Sequence, residues 1–386
     1  MKTYVENLVD CLNEKILHIN ELESAMHALY KQQAQTLLKR RQEDLRNESA
    51  YLQLLSSRNV KSTNSSLEED ERAQQLLEDC EARRICRRQV RENSGKCDHH
   101  EGMSRDDERS PAQLTDLQNQ KDDILHECKK IFEDVHKDYC SIRSVLLKFQ
   151  QWRENFSGSY YDAYISLCLP KLLSPLIRIQ LIDWNPLEDC MALEEMPWFR
   201  AIEEFSDTKH VSESKRDDDS DQNILPAVFE KTIFPKITDF VEHVWDPLSS
   251  SQTNSLVQFC KNTSEKYSFS KNESSKAQQG LMNSIVSRMK KSIEEDVFIP
   301  LYPKSTVEDK ISPHSKFQER QFWSAVKLLS NILFWDGIIP EDTLKELGLC
   351  KLLNRYLLLI ILNTSSEENN VEKCRKVLYN FEMGRF

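Results

Sequence analysis

Neither glycine nor proline occurs before Gly95, and the full 386 residues hold only 7 glycines and 12 prolines. A sheet protein needs such residues at its many turns. A helix, by contrast, loses about 1 kcal/mol for each interior glycine and about 3 kcal/mol for each proline. A chain so poor in both is built from long helices. The Asn-Gly and Asp-Gly hairpin signals are nearly absent, since Asp336-Gly337 follows a helical stretch. The expected fold class is all-α.

Three segments run an apolar helix into a tryptophan and then a break: LIRIQLIDWNPL at 176–187, ITDFVEHVWDPL at 237–248 and LLSNILFWDGII at 328–339. The rings of Pro186 and Pro247 push Asn185 and Asp246 out of the helical region, so the helix should stop at its tryptophan. Trp184, Pro186, Trp245, Pro247 and Trp335 are therefore expected at corners between packed helices. Asx-type hydrogen bonds within Asp183-Trp184-Asn185-Pro186 would fix the corner geometry. A recurring helix, corner, helix unit implies a repeat-like, solenoid-type body. Tryptophan also anchors partners. Trp152 and Trp198, flanked by charged residues or proline, are the better exposed candidates for that role.

Val5, Leu8, Leu12, Ile19, Leu22, Met26 and Leu29 follow steps of three and four with one gap at Lys15. This is a coiled-coil seam that expects a partner helix, in cis or in trans. After Leu29 the register shifts, and Leu38, Leu45 and Leu52 continue at intervals of seven. The expected organisation is a coiled-coil helix at 1–58, linkers at 59–113 flanking a basic helix at 67–91, and a helical domain at 114–386 with an acidic loop at 206–223. In the basic helix, Arg83, Arg84, Arg87, Arg88 and Arg91 could contact nucleic acid or an acidic partner, or form a solvated face. The second linker carries acid-directed and proline-directed phosphorylation patterns at Ser104 and Ser110. A periodic apolar stripe from Leu114 to near Gly158 reads as one long helix. The apolar block 160–187 reads as core whose helices are cut at Pro170, Pro175 and Pro186. A helix pair is expected around 224–245, an extended stretch at DVFIPLYPK, and strong helices at 314–335 and 343–362.

A net charge of −11 argues against nucleic-acid affinity for the chain as a whole. Lys39, Arg40, Arg41, Arg46 and the basic helix are the residues that could supply it locally. The eleven cysteines are scattered without a CxxC, as for reduced thiols. Cys97, His99 and His100, with Cys80 and Cys86 upstream, match no zinc module, so neither metal nor cofactor is expected. No GxxxxGK[ST], GxGxxG or GxSxG occurs, and paired acids such as Glu194-Glu195 and Glu294-Glu295 read as solvated faces. No enzymatic activity is expected. The most apolar run, YLLLIIL at 356–362, is far shorter than the ~20 residues of a membrane span.

Several long segments together resemble the GC-rich sequence DNA-binding factor family. They are TYVENLVDCLNEKI (3–16), LLKFQQWRENF (146–156), SYYDAYISLCLPKLLSPLIRIQLIDWNPL (159–187), EEMPWF (194–199), DFVEHVWDPLS (239–249), SIVSRMKKSIEEDVFIPLYPKS (284–305) and SPHSKFQERQFWSAVKLL (312–329). Within that family they are closer to the DNA-binding-factor branch than to the PAX-binding branch. The resemblance implies a nuclear, non-enzymatic protein of the intron large complex, found in nucleoplasm and nucleolus. It would act late in pre-mRNA splicing and in excised-intron turnover, through spliceosomal proteins including the tuftelin-interacting protein and a DEAH-box helicase. The alternative it implies is a transcriptional repressor binding GC-rich DNA. It carries over no catalytic residues. Met1 falls inside the helix pattern, so a fragment or a truncated form of a longer protein is expected.

Overall fold

The structure, a computed structural model, describes residues 1–58, 67–93, 100, 102–103, 111–188, 193–207, 220–266, 276–363 and 367–383. Linker residues 59–66, the stretch holding Cys97, His99, Ser104 and Ser110, the middle of the acidic loop (208–219) and residues 267–275 lie outside them. Among the described residues there is no strand. The helices are α1 (Lys2–Arg58), α2 (Leu67–Asn93), α3 (Pro111–Lys130), α4 (Lys137–Cys140), α5 (Ile142–Asn155), α6 (Ser157–Asp162), α7 (Ile165–Gln180) and α8 (Pro197–Ser206). They continue with α9 (Ile224–Val228), α10 (Phe234–His243), α11 (Ser250–Lys266), α12 (Lys276–Glu295), α13 (Lys304–Val307), α14 (Pro313–Leu333), α15 (Glu341–Lys345), α16 (Leu358–Asn363) and α17 (Glu367–Met383). None is long and apolar enough to cross a membrane.

The chain forms two compact units, and neither is one continuous stretch. The first gathers Met1–Gln32, Ser110–Val244 and Gln258–Ile285; the second gathers Gln33–Arg109, Trp245–Val257 and Val286–Phe386. The shift in the leucine register after Leu29 thus falls where α1 leaves one unit for the other.

Three sequence expectations are corrected. The stripe from Leu114 to Gly158 is not one helix: α3 ends at Lys130, the His136 side chain caps α4 by accepting from the Asp138 amide, and Ser141 caps α5 by accepting from the Ser144 amide. Side-chain caps of this kind restart helices without glycine or proline, so an apolar stripe can run across the break. Pro170 and Pro175 do not cut the block 160–187, because both lie inside α7. Each proline removes one intrahelical bond. Against that, Leu169, Leu173, Leu176 and Ile177 are each 1% exposed or less, and burial of each contributes about 2 kcal/mol. The helix pair at 224–245 is one helical run, with α9 and α10 joined through a π-helical turn at Phe229–Ile233. A wider turn accommodates prolines that cannot donate to the usual carbonyl. Residues 297–303 carry no helix, as their two prolines demand.

Candidate interaction elements

The seam of α1 is covered by its own chain. Leu8, Leu12, Ile19, Leu22, Met26 and Leu29 are all buried and Val5 is half-buried. Around it, Tyr4 stacks on Tyr139 at 5.2 Å and donates to the Asp138 carbonyl at 2.6 Å. Lys15 pairs with Asp134 at 2.6 Å, Glu23 accepts from Arg178, and Tyr30 packs on Phe240. Cation and carboxylate therefore alternate along the helix that the leucines bury. Burial raises the Tyr4 phenol well above its ordinary value, with Asp138 adding to it, so the phenol stays a donor.

The basic helix α2 meets carboxylates of α1 within the second unit. Arg83 bridges both oxygens of Asp44 at 2.9 Å, and Arg84 reaches Glu48 at 2.9 Å. The other oxygen of Glu48 accepts from Arg320 of α14, so one buried carboxylate holds two guanidinium groups. Arg88 is exposed, and the side chains of Arg87 and Arg91 lie outside the described residues. Of the other cations singled out, Arg41 pairs with Asp246, Lys39 with Glu43 on its own helix, Arg40 is half-buried and Arg46 is exposed. The acidic partner of Arg83 and Arg84 is thus α1 itself. Glu48 lies between Leu45 and Leu52 at seam spacing, and Arg320 follows Phe317 by three. A charge at an apolar register was the signal that sequence reasoning missed.

Part of the second linker docks on the same unit. His100 stacks on Trp323 with ring centroids 3.8 Å apart and pairs with Glu372 at 3.0 Å. Gly102, with φ at 96°, passes so close to the Arg320 carbonyl that any Cβ would collide with it. Cys80 is buried and Cys86 exposed, both as free thiols.

The tryptophan corners are buried: Trp184 is 5%, Trp245 1% and Trp335 0% exposed. α10 and α14 end within two residues of their tryptophans, whereas α7 stops at Gln180, four residues before Trp184. There Leu181 and Ile182 turn inward through bonds to the carbonyls three residues back, which tightens the last turn. The Asn185 side chain accepts from the Leu187 amide at 3.0 Å, and Asp246 accepts from the Leu248 amide at 3.1 Å. Trp245 packs edge-on against Trp335 at 5.9 Å. Trp184 packs on Phe259 at 6.3 Å. In the third corner Gly337, with φ at 78°, takes the place of the proline.

A buried ionic triad closes the first unit. Arg153 of α5 pairs with Asp221 at 2.7 Å, both side chains being 4% exposed or less, and Tyr160 donates to the same carboxylate at 3.0 Å. The guanidinium also donates to the Phe205 carbonyl and lies 4.4 Å over the Phe205 ring. The acidic run 206–223 therefore ends in a core residue. Asp221 has three acidic neighbours in Asp217, Asp218 and Asp219, and composition could not single it out. Trp198, expected to be exposed, is 0% exposed and donates to the Met196 sulfur. Pro197 opens α8 and turns Trp198, Phe199, Ile202 and Phe205 together into the core. Trp152 is half-buried beside Tyr160. A cleft of about 400 Å³ lies beside Trp198, spanned by Arg143 and Glu204 at 3.1 Å.

These side chains define an all-helical protein whose buried cations and carboxylates tie its own helices to one another. Residues 142–360, more than half of the chain, match the GC-rich sequence DNA-binding factor-like protein family, and the chain belongs to that family. A mouse relative, "Intron Large complex component GCFC2", is 57% identical over 378 residues, covering 98% of this chain and 49% of the relative. The human "PAX3- and PAX7-binding protein 1" is 41% identical over 389 residues, covering 99% of the chain and 42% of the relative. The Arabidopsis thaliana "Transcriptional repressor ILP1" is 27% identical over 210 residues, covering 54% of the chain and 22% of the relative. The chain spans about half the length of its mouse relative or less of the others.

Proposed function

We propose that this chain is a non-enzymatic nuclear scaffold of the intron large complex, acting late in pre-mRNA splicing and in turnover of excised introns. The observation that carries the reading is its 57% identity, over nearly its whole length, to a mouse protein named as an intron large complex component. Its partners on this reading are the tuftelin-interacting protein and a DEAH-box helicase, met in the nucleoplasm and nucleolus. No cofactor enters the role. Because the seam residues of α1 are buried in their own unit, a partner reaches Leu12 or Leu22 only by displacing the chain's own helices. The test is recovery of a tagged chain from nuclear extract. Intron large complex proteins are expected with it, and their absence would overturn the proposal.

A second reading, a repressor bound to GC-rich DNA, is favoured by the name of the Arabidopsis relative and the family description. Against it, Arg83, Arg84 and Arg41 already face carboxylates, and phosphate contact would have to displace them. Gel-shift binding to GC-rich duplex at physiological salt, lost when Arg87, Arg88 and Arg91 are replaced together, would establish it in place of the scaffold reading.

A further inference from the structure

His27 of α1 and Asp239 and His243 of α10, all in the first unit, turn three ligand atoms toward one point, all within 4.8 Å of one another. Asp239 and His243 are four residues apart, which puts them on one face of α10. His27 Nε2 lies 3.1 Å from one Asp239 oxygen, and His243 Nδ1 lies 3.0 Å from the other. His27 Nε2 is buried and has no hydrogen-bond partner. Two donors bound to one ion at about 2.1 Å stand roughly 3.0–3.4 Å apart, which matches each imidazole against its Asp239 oxygen, while the set as a whole, within 4.8 Å, closes up on binding. A nitrogen close to a carboxylate yet not bonded to it is left over from the fold's own hydrogen bonding.

We propose that His27, Asp239 and His243 bind one divalent transition-metal ion of the zinc class and so clamp α1 to α10. Two imidazoles and a carboxylate are a borderline donor set that prefers such an ion over calcium or magnesium. Asp239 is 50% exposed, leaving a fourth position open to water. Lys236 is turned toward Glu23 at 3.8 Å, which moderates its repulsion of a cation. The His243 Nδ1 also lies 3.1 Å from the Asp239 carbonyl. Its ring can keep that bond and ligate through Nε2, or release it and ligate through Nδ1. Residues 27, 239 and 243 are too far apart in sequence for any spacing motif to reveal the set.

The test titrates the full reduced chain with Co²⁺ alone, then displaces it with Zn²⁺. One equivalent is expected, with visible d–d absorption and no thiolate-to-cobalt charge transfer, and affinity should fall at least tenfold in Asp239→Asn and His243→Ala. Both positions are partly exposed, and circular dichroism checks that each variant keeps its helices. Absent d–d bands, charge transfer from cysteine ligation, or unchanged affinity in both variants would each overturn the site.

Discussion

The corner at Trp184-Asn185-Pro186-Leu187 and the corner at Trp245-Asp246-Pro247-Leu248 share a backbone device and differ by one charge. In both, the residue before proline is barred from the helix and its side chain accepts from the amide two residues on. Asn185 does only that, at 3% exposure. Asp246 also takes both terminal nitrogens of Arg41, at 3.3 and 2.7 Å, while the Pro247 carbonyl accepts from Asn331 at 2.8 Å and the Trp245 carbonyl from Arg288 at 3.2 Å. The turn itself therefore needs no charge. A carboxylate replaces the amide where a guanidinium lies within reach, and the corner then becomes a joint for several helices of its unit.

The largest effect should separate the corners by packing. Trp245→Ala removes a ring that is 1% exposed and rests on a second buried tryptophan, so it should cost about 3–5 kcal/mol. Trp184→Ala should fall at the lower end of that range. Urea unfolding followed by circular dichroism orders the two, and equal midpoints would break the comparison.

Exchanging the Asx residues tests the charge. Asn185→Asp places a carboxylate at a position only 3% exposed and flanked by the acids Asp183 and Glu188, so its folded pKa rises above the unfolded value of about 3.9 and stability falls as pH rises through that interval. A rise of about two units would cost about 3 kcal/mol at neutral pH, and nothing below about pH 4. Asp246→Asn works from the other side. Burial opposes ionisation of Asp246, but Arg41 and the Leu248 amide outweigh it and hold the pKa below the ordinary carboxylate value. The wild type thus has extra stability above about pH 4 that it loses as pH falls through the folded value. The variant should cost about 1–2 kcal/mol at neutral pH, and the gap should close in acid. Asp296, whose pKa is raised by burial and further by Asp246, is relieved of that repulsion in the variant, which offsets part of the cost at neutral pH. Adding a charge at one corner and removing one at the other should destabilise with the same pH trend. A cost for Asp246→Asn that persists in acid would show that the charge is not what distinguishes the corners.

The turn at each corner follows from the sequence, because proline after an Asx residue constrains the backbone locally, although α7 stops four residues short of Trp184 where the sequence puts its end at the tryptophan. The leucines of α1 were legible for the same reason, since helical spacing alone puts them on one face. The ion pairs were not. Arg84 and Glu48 are 36 residues apart, Arg153 and Asp221 are 68 apart, and Arg320 and Glu48 are 272 apart, so only tertiary packing joins them. Pro170 and Pro175 misled for a related reason: the local cost of a proline is fixed, while the burial that offsets it depends on helices elsewhere in the chain. Cap residues such as Ser141 mark helix starts, but one serine among many is a weak signal until its amide partner is seen.

The smallest effect separates the corners by a single donor. Trp184 Nε1 is buried without a hydrogen-bond partner, so Trp184→Phe removes an unmet donor together with part of a ring, and the two losses oppose each other. The change should stay within about 1 kcal/mol. Trp245 Nε1 donates to Thr253 at 3.3 Å, and Trp245→Phe loses that bond as well as contact with Trp335, for about 1–2 kcal/mol. Thr253→Val then divides the second cost. If Trp245→Phe is equally harmful in the valine background, the ring contact accounts for the whole difference and the indole N–H contributes nothing. If the cost shrinks, the second corner is held by hydrogen bonding at its tryptophan as well as at its aspartate, whereas the first is held by its asparagine and by packing alone.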